Sequence, residues 1–114
     1  KTEEYKTDIK LLNRISEIIN KHISDPDFSI NDIADELCLS RVQLYRRIKA
    51  MSGANLTELI RNARLERARD ILANATTTKS ISEVAYEVGF SSPSYFTKCF
   101  KDYFGISPSA VDKI

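Results

Sequence analysis

The sequence predicts an all-α fold with seven helical segments, and three observations support this prediction. Most apolar residues recur at helical spacing. The chain has only three prolines and three glycines, too few for a β-rich fold with many turns. A phrase running from Ser29 to Gly53, SINDIADELCLSRVQLYRRIKAMSG, returns from Ser80 to Gly105 as SISEVAYEVGFSSPSYFTKCFKDYFG. The fold is therefore expected to contain one helical unit twice.

The first helix is expected to start near Asp8, after an N-terminal linker over residues 1–8. It should stop before Asp25-Pro26, because the residue that precedes a proline is disfavoured in helical conformation. Apolar side chains then share one face of this helix: Leu12, Ile15, Ile19 and Ile23.

Two short helices follow, each with a start signal in the sequence. Ser29 is expected to cap the first one, with Asp32 three residues later as a weaker capping box. Ser40 and Gln43 form a full capping box for the second helix, and Gly53 is well placed to end it.

A longer helix is expected from about Asn55 to Ala73, since two successive apolar sets follow helical spacing there. It divides the predicted domain into three parts after the linker. These are a first unit over residues 9–53, a connecting helix over residues 54–75 and a second unit over residues 76–114.

The second copy carries the same start and stop signals. Ser80 and Glu83 make a capping box, and Ser92 precedes a proline in the favoured first turn of the next helix. Gly105 is expected to end that helix, and Ser107-Pro108 to start a last short one.

The two copies align with an offset of 51 residues as far as Leu39 and Phe90, and of 52 residues afterwards. Each copy is therefore a short helix, a tight turn and a second helix, which is the helix-turn-helix arrangement. Ala34 and Ala85 occupy equivalent positions, where a small side chain lets two helices cross closely. Gly89 suits a turn position with positive φ, and Cys38 occupies the equivalent position in the first copy.

Charge is distributed unevenly although the net charge is only +1. Residues 41–69 contain eight basic and two acidic residues, a charge of +6, and the rest of the chain carries nine basic and fourteen acidic residues, or −5. Such a chain can present one basic face to a polyanion. The alternative is a solvated, charge-rich helix, and charge alone does not decide between the two.

Several other classes of function find no support in the sequence. It suggests no nucleophile with a base partner, no phosphate loop and no metal-ligand spacing, so neither an enzyme nor a cofactor is expected. His22 is interpreted as a helix-surface residue and Cys99 as part of the core. No apolar run approaches the ~20 residues of a membrane-spanning helix, so no membrane contact is expected. Two cysteines do not make a disulfide framework, so a reducing, cytoplasmic setting is expected. Because the chain begins with Lys1, it is expected to be part of a longer protein whose sensor domains lie outside it.

The segments ISEVAYEVGFSSPSYFTKCFKDYFGISPS and IRNARLERARDIL resemble the DNA-binding domain of AraC/XylS-type transcription regulators over about Ile9 to Ala110. The run ISDPDFSINDIADELCLSRVQLYRRIKAMSG also resembles the C-terminal domains of hybrid two-component regulators from gut bacteria. Val111 departs from the family, which usually has an aromatic residue there.

This resemblance implies two helix-turn-helix units joined by a long helix and bound to adjacent major grooves of double-stranded DNA. Helices three and six would read the bases. The family's base-reading positions and the exposed start of helix three correspond to Arg41, Val42, Tyr45, Arg46, Pro93, Ser94, Thr97 and Lys98. Phosphate contacts are expected from Ser40, Arg47, Lys49, Lys79, Ser92 and Lys101.

Three further expectations concern individual side chains and partners. Arg64 and Arg67 are expected to pair with the acids Glu36 or Glu87, and Tyr95 to belong to the core. RNA polymerase is expected as a further partner. The alternative to DNA binding is a helical protein-interaction module that docks on polymerase or on a sensor domain.

Overall fold

The computed structural model describes residues 2–53 and 55–114 and shows no strand in either range. The all-α prediction is confirmed, and the seventh helical segment is a 3₁₀ turn. The helices are α1 (Thr2–Lys21), α2 (Ile30–Leu37), α3 (Arg41–Ser52), α4 (Leu56–Ala73), α5 (Ile81–Glu87) and α6 (Pro93–Phe104), followed by the turn Pro108–Ala110.

The N-terminal linker prediction is wrong for residues 2–8, which form the first turns of α1. The apolar stripe begins only at Leu12, but no proline or glycine interrupts the polar residues before it, and the Thr7 hydroxyl donates to the Glu3 carbonyl at 2.9 Å. The helix ends at Lys21, earlier than Asp25. Lys1 of the predicted linker and Ala54 of the predicted connecting helix lie outside the described residues.

The chain folds as two compact units whose boundary lies inside α4. The first unit extends to His22 and continues over Phe28–Ile60, and the second contains Ile23–Asp27 and Arg61–Ile114. The sequence predicts α4 as a connecting segment between the units. Its apolar side chains are divided between them, with Leu56 buried in the first unit and Leu65 in the second.

The first unit buries apolar faces of α1, α2 and α3. His22, expected at the surface, is half-buried at the end of α1 and stacks on Phe28 with 4.9 Å between ring centroids. Its Nε2 lies 2.8 Å from Oε1 of Glu36 on α2. This hydrogen bond lowers the pKa of the Glu36 carboxyl. The buried apolar side chains of this unit are Ile15, Ile18, Ile19, Phe28, Ile33, Ala34, Leu44, Ile48, Leu56 and Ile60.

The second unit packs α4, α5 and α6 around aromatic rings. Phe96 contacts Phe90 edge to face at 5.2 Å and Phe100 at 5.7 Å between centroids. Cys99 and Val111 are partly buried against this core, so Val111 is accommodated without the family's usual aromatic ring. The buried residues of this cluster are Leu65, Ala68, Leu72, Val84, Ala85, Val88, Phe90, Phe96 and Phe100.

The sequence repeat is reproduced in backbone hydrogen bonds. The Leu39 amide donates to the Ala34 carbonyl at 2.9 Å, and the Phe90 amide donates to the Ala85 carbonyl at 2.9 Å. The corresponding helix ends also match, because the Gly53 and Gly105 amides donate to the carbonyls four residues earlier at 3.0 and 2.8 Å. Both alanines are buried, in agreement with their expected place between crossing helices.

The turns of the two copies need residues with positive φ, as predicted. Cys38 adopts φ +56° at the end of α2, and Gly89 adopts φ +92° after α5. This conformation disfavours side chains with a Cβ atom, so Cys38 is accommodated at some energetic cost.

Arg64 is packed beside Gly89 in the second unit. Its Nη2 donates to the Asp25 backbone carbonyl at 2.7 Å, so its predicted pairing with Glu36 or Glu87 is wrong. Those two acids bind His22 and Lys79 instead. Burial lowers the pKa of Arg64 and leaves its Nε without a hydrogen-bond partner among the described residues.

Replacing Gly89 by alanine is expected to destabilise the protein by about 2–5 kcal/mol, through positive φ and steric overlap. A Cβ atom at Gly89 would lie 2.4 Å from the Ile23 carbonyl oxygen and 2.9 Å from Arg64 Nε. Gly105→Ala is the matched control, because φ is +78° there and no described atom lies within 4 Å of the added Cβ. Urea unfolding should show that Gly105→Ala lowers the free energy of unfolding less than Gly89→Ala does. Equal decreases in the two variants would contradict the close packing at Gly89.

Replacing Glu36 by glutamine should remove a pH-dependent part of the stability. The Glu36 pKa is lower in the folded protein than its ordinary value of 4.5, so the unfolded chain binds more protons between the two values. This stabilisation is present above pH 4.5 and is lost as the pH falls through the folded-state pKa. Urea unfolding from about pH 6 to pH 3 should show the wild-type and variant stabilities converging in acid. A constant difference over this range would contradict the assigned pair.

Candidate nucleic-acid-binding surfaces

Helix α3 is oriented by its first residue and by its buried stripe. The Ser40 hydroxyl accepts from the Gln43 amide at 3.1 Å, and the Ser40 amide donates to the Gln43 side chain at 2.9 Å. Leu44 and Ile48 are 0% and 1% exposed, one helical turn apart. These contacts fix which side of α3 faces away from the core.

The residues predicted to read bases on α3 all lie on that outer side. Arg41, Val42, Tyr45 and Arg46 are exposed, and Val42 is 63% exposed although it is apolar. Nη2 of Arg41 donates to the Tyr45 hydroxyl at 3.3 Å, and its guanidinium carbon lies 5.7 Å from the Tyr45 ring centroid. The start of α3 therefore presents two guanidinium groups, an aromatic ring and an apolar side chain.

The two phosphate candidates further along α3 differ in their surroundings. Lys49 is exposed in the last turn. Arg47 is half-buried, and its Nη2 lies 3.7 Å from Oδ1 of Asp8 on α1. Sequence reasoning missed Asp8, because the residues around it were expected to form a linker.

Helix α6 repeats the arrangement with different side chains. The Ser92 hydroxyl accepts from the Tyr95 amide at 3.2 Å, and Pro93 occupies the first turn. Phe96 and Phe100 are fully buried, as Leu44 and Ile48 are in the first unit. The same burial logic thus orients both predicted reading helices.

The outer side of α6 contains most of its predicted contact residues. Ser94, Thr97, Lys98 and Lys101 are exposed, whereas Pro93 is half-buried. Tyr95 is 52% exposed, so its assignment to the core is wrong. Phe96 and Phe100 occupy the buried face of α6, so the Tyr95 ring lies at the edge of the core, tilted against Phe90 with 6.1 Å between ring centroids.

The remaining phosphate candidates lie at helix starts or before them. Ser40 and Ser92 use their hydroxyl oxygens as acceptors in the caps. A serine hydroxyl can still donate its hydrogen, so capping and a phosphate contact are compatible. Lys79, just before α5, is exposed and forms an ion pair with Glu87.

The described ranges hold neither a metal-binding cluster nor a membrane-spanning helix. The His, Cys, Asp and Glu side chains there form no cluster that could hold a metal ion. None of the helices described is both long and apolar enough to cross a membrane.

A helix-turn-helix motif occurring twice, each time with an exposed and polar second helix, defines a class of nucleic-acid-binding proteins. Comparison with known proteins agrees with this class. A family described as "Helix-turn-helix domain" matches residues 33–114. The chain belongs to this family, in its AraC/XylS-type branch of DNA-binding transcription regulators.

Two curated relatives are longer than this chain. "Histidine kinase P4" of Formosa agariphila is 36% identical over 102 residues, which are 90% of this chain and 7% of that protein. The "Msm operon regulatory protein" of Streptococcus mutans is also 36% identical over 102 residues, 90% of this chain and 36% of the relative. The chain thus spans only a minor part of these relatives.

Two solved structures match most of both chains. An AraC-type transcriptional regulator from Chromobacterium violaceum has a TM-score of 0.80 and 31% identity, covering 88% of this chain and 87% of that one. The DNA-binding domain of AdpA, solved in complex with a target DNA, has a TM-score of 0.75 and 26% identity, covering 88% and 86%. The fold is therefore that of an AraC-type DNA-binding domain.

Proposed function

We propose that this domain binds a specific double-stranded DNA site by placing α3 and α6 in two adjacent major grooves. The observation that supports this most directly is that both helices bury equivalent positions and expose most of their predicted contact residues. The DNA complex of AdpA, a protein with the same fold, lends further support.

In this proposal, α3 supplies most of the sequence discrimination. Arg46 is exposed, and a guanidinium can form a bidentate pair with the edge of guanine. Arg41 and Tyr45 hold each other at the start of the helix, which limits the conformations that each must lose on binding. Val42 is available for an apolar contact with a thymine methyl group.

Helix α6 is proposed to read fewer bases directly. Thr97 offers a hydroxyl and a methyl group, and Lys98 can contact either a base or a phosphate. Pro93 has no donor and is half-buried, so it can add only shape and apolar contact. Ser94, the next residue, has a hydroxyl group that can donate a hydrogen bond.

Six residues are proposed to bind phosphates, which fixes the register of the domain on the duplex without reading sequence. Lys49 and Lys101 stand near the ends of the two reading helices and are exposed. Ser40 and Ser92 stand at the helix starts, where the helix dipole favours a bound anion. Arg47 and Lys79 complete the set and must exchange an acidic partner for a phosphate.

The domain is further proposed to be the effector part of a larger two-component regulator in the cytoplasm, where the chromosome is accessible. Its resemblance to a short part of a protein named as a histidine kinase supports this. Sensor domains would then be attached to the same chain, and RNA polymerase would be a partner during transcription.

One observation favours protein docking as a second function of the same domain. A groove of about 350 Å³ in the second unit has exposed tyrosines at its edge. Such rings are enriched in protein interfaces. The lining side chains are Arg61, Asn62, Leu65, Tyr95, Lys98, Cys99, Asp102 and Tyr103.

Replacing Arg46 by alanine should cost ~1–3 kcal/mol at the preferred site and relax the preference at one base pair. The preferred site is obtained by selection from random duplexes with the wild-type domain, and binding is then measured by fluorescence anisotropy. Lys49→Ala is the control for phosphate contact: it should weaken all sequences alike and reduce the salt slope by about 0.9. An unchanged base preference in Arg46→Ala would show that Arg46 does not read the site.

A further inference from the structure

Arg47 has a carboxylate beside it before any DNA is bound. Oδ1 of Asp8 on α1 lies 3.7 Å from Nη2 of Arg47 on α3, and the two side chains are 36% and 41% exposed. Both residues belong to the first unit. The contact brings α1, which has no role in the proposed DNA contacts, against the flank of a reading helix.

Asp8 and Arg47 line one groove together with the base-reading candidate Arg46. Its other lining residues are Thr7, Ala50 and Met51, and its volume is about 440 Å³. A negative charge at this place faces the side of α3 where a phosphate of the DNA backbone would approach Arg47. Asp8 would therefore act on the same guanidinium as the DNA does.

We propose that Asp8 competes with DNA phosphate for Arg47 and so lowers the affinity of the domain for all duplex sequences. The inference rests on the proposed function, in which Arg47 binds a phosphate. Carboxylates and phosphates are both ligands that suit the planar donors of a guanidinium. Because a partly exposed ion pair is weak, phosphate can displace Asp8, and the free energy of breaking the pair is subtracted from that of DNA binding.

The second unit has a comparable arrangement. Lys79, another phosphate candidate, is paired with Glu87 of α5. Each unit therefore contains a predicted phosphate-binding cation that already has an acidic neighbour. A weak intramolecular competitor of this kind reduces non-specific binding without removing the cation.

The test compares Asp8→Asn with a matched control, Glu17→Gln. Both remove one negative charge from α1, but Glu17 is paired with Arg14 of the same helix at 4.0 Å. Asp8→Asn should bind a non-specific duplex about two- to fivefold more tightly, the range given by a weak ion pair. Its salt slope, measured between about 50 and 200 mM KCl, should steepen by up to about 0.9. Glu17→Gln should change both quantities much less.

A double-mutant cycle separates competition from a general effect of charge. In an Arg47→Ala background, Asp8→Asn should no longer change affinity or salt slope, because the shared group is absent. Equal effects of Asp8→Asn and Glu17→Gln would overturn the competition, and so would an effect of Asp8→Asn that persists without Arg47. Asp8→Glu, which keeps the charge, should bind like the wild type. Failure of the wild-type domain to bind any duplex would instead overturn the proposed function, and this proposal with it.

Discussion

The burial of two side chains on each reading helix is the constraint on which the rest of the structure depends. Leu44 and Ile48 in α3, and Phe96 and Phe100 in α6, are almost completely removed from solvent. Residues of an α-helix that lie three or four positions apart share a face, so burying one face commits the opposite face to solvent. The chemistry at the outer surface of each helix follows from this commitment. The capping serines and the positive-φ turns then fix where each helix begins.

The two units use one architecture for different chemistry. The first unit exposes guanidinium groups and an aromatic ring at the start of α3, whereas the second exposes small hydroxyl side chains and lysines along α6. Duplication of the backbone plan is visible in matched hydrogen bonds, while the exposed side chains have diverged. Matched buried positions with different exposed side chains are expected when core packing constrains one face of a helix and the bound ligand constrains the other. Arg47 and Lys79, which are proposed to bind phosphate, each have an acidic neighbour.

Much of the fold could be predicted from the sequence, because its signals are local. Capping boxes, a proline in the first helical turn and glycines at positive φ each act within a few residues, and α3, α4 and α6 begin and end close to the predicted positions. Contacts between segments that are distant in the sequence could not be predicted in this way. The neighbours of Arg64, the hydrogen bond between His22 and Glu36 and the ion pair of Asp8 with Arg47 all join residues that are far apart in the sequence. Apolar periodicity and capping signals involve only residues that are close in the sequence, so they do not predict such contacts.

The central claim is that this duplicated unit reads DNA with both copies. Hydroxyl-radical footprinting of the wild-type domain on its selected site tests it most directly. The account predicts two protected segments centred about ten base pairs apart on one face of the duplex. Substitution of exposed residues in α3 should weaken protection of one segment, and substitution in α6 that of the other. A single protected segment that is unaffected by changes in α6 would contradict the account.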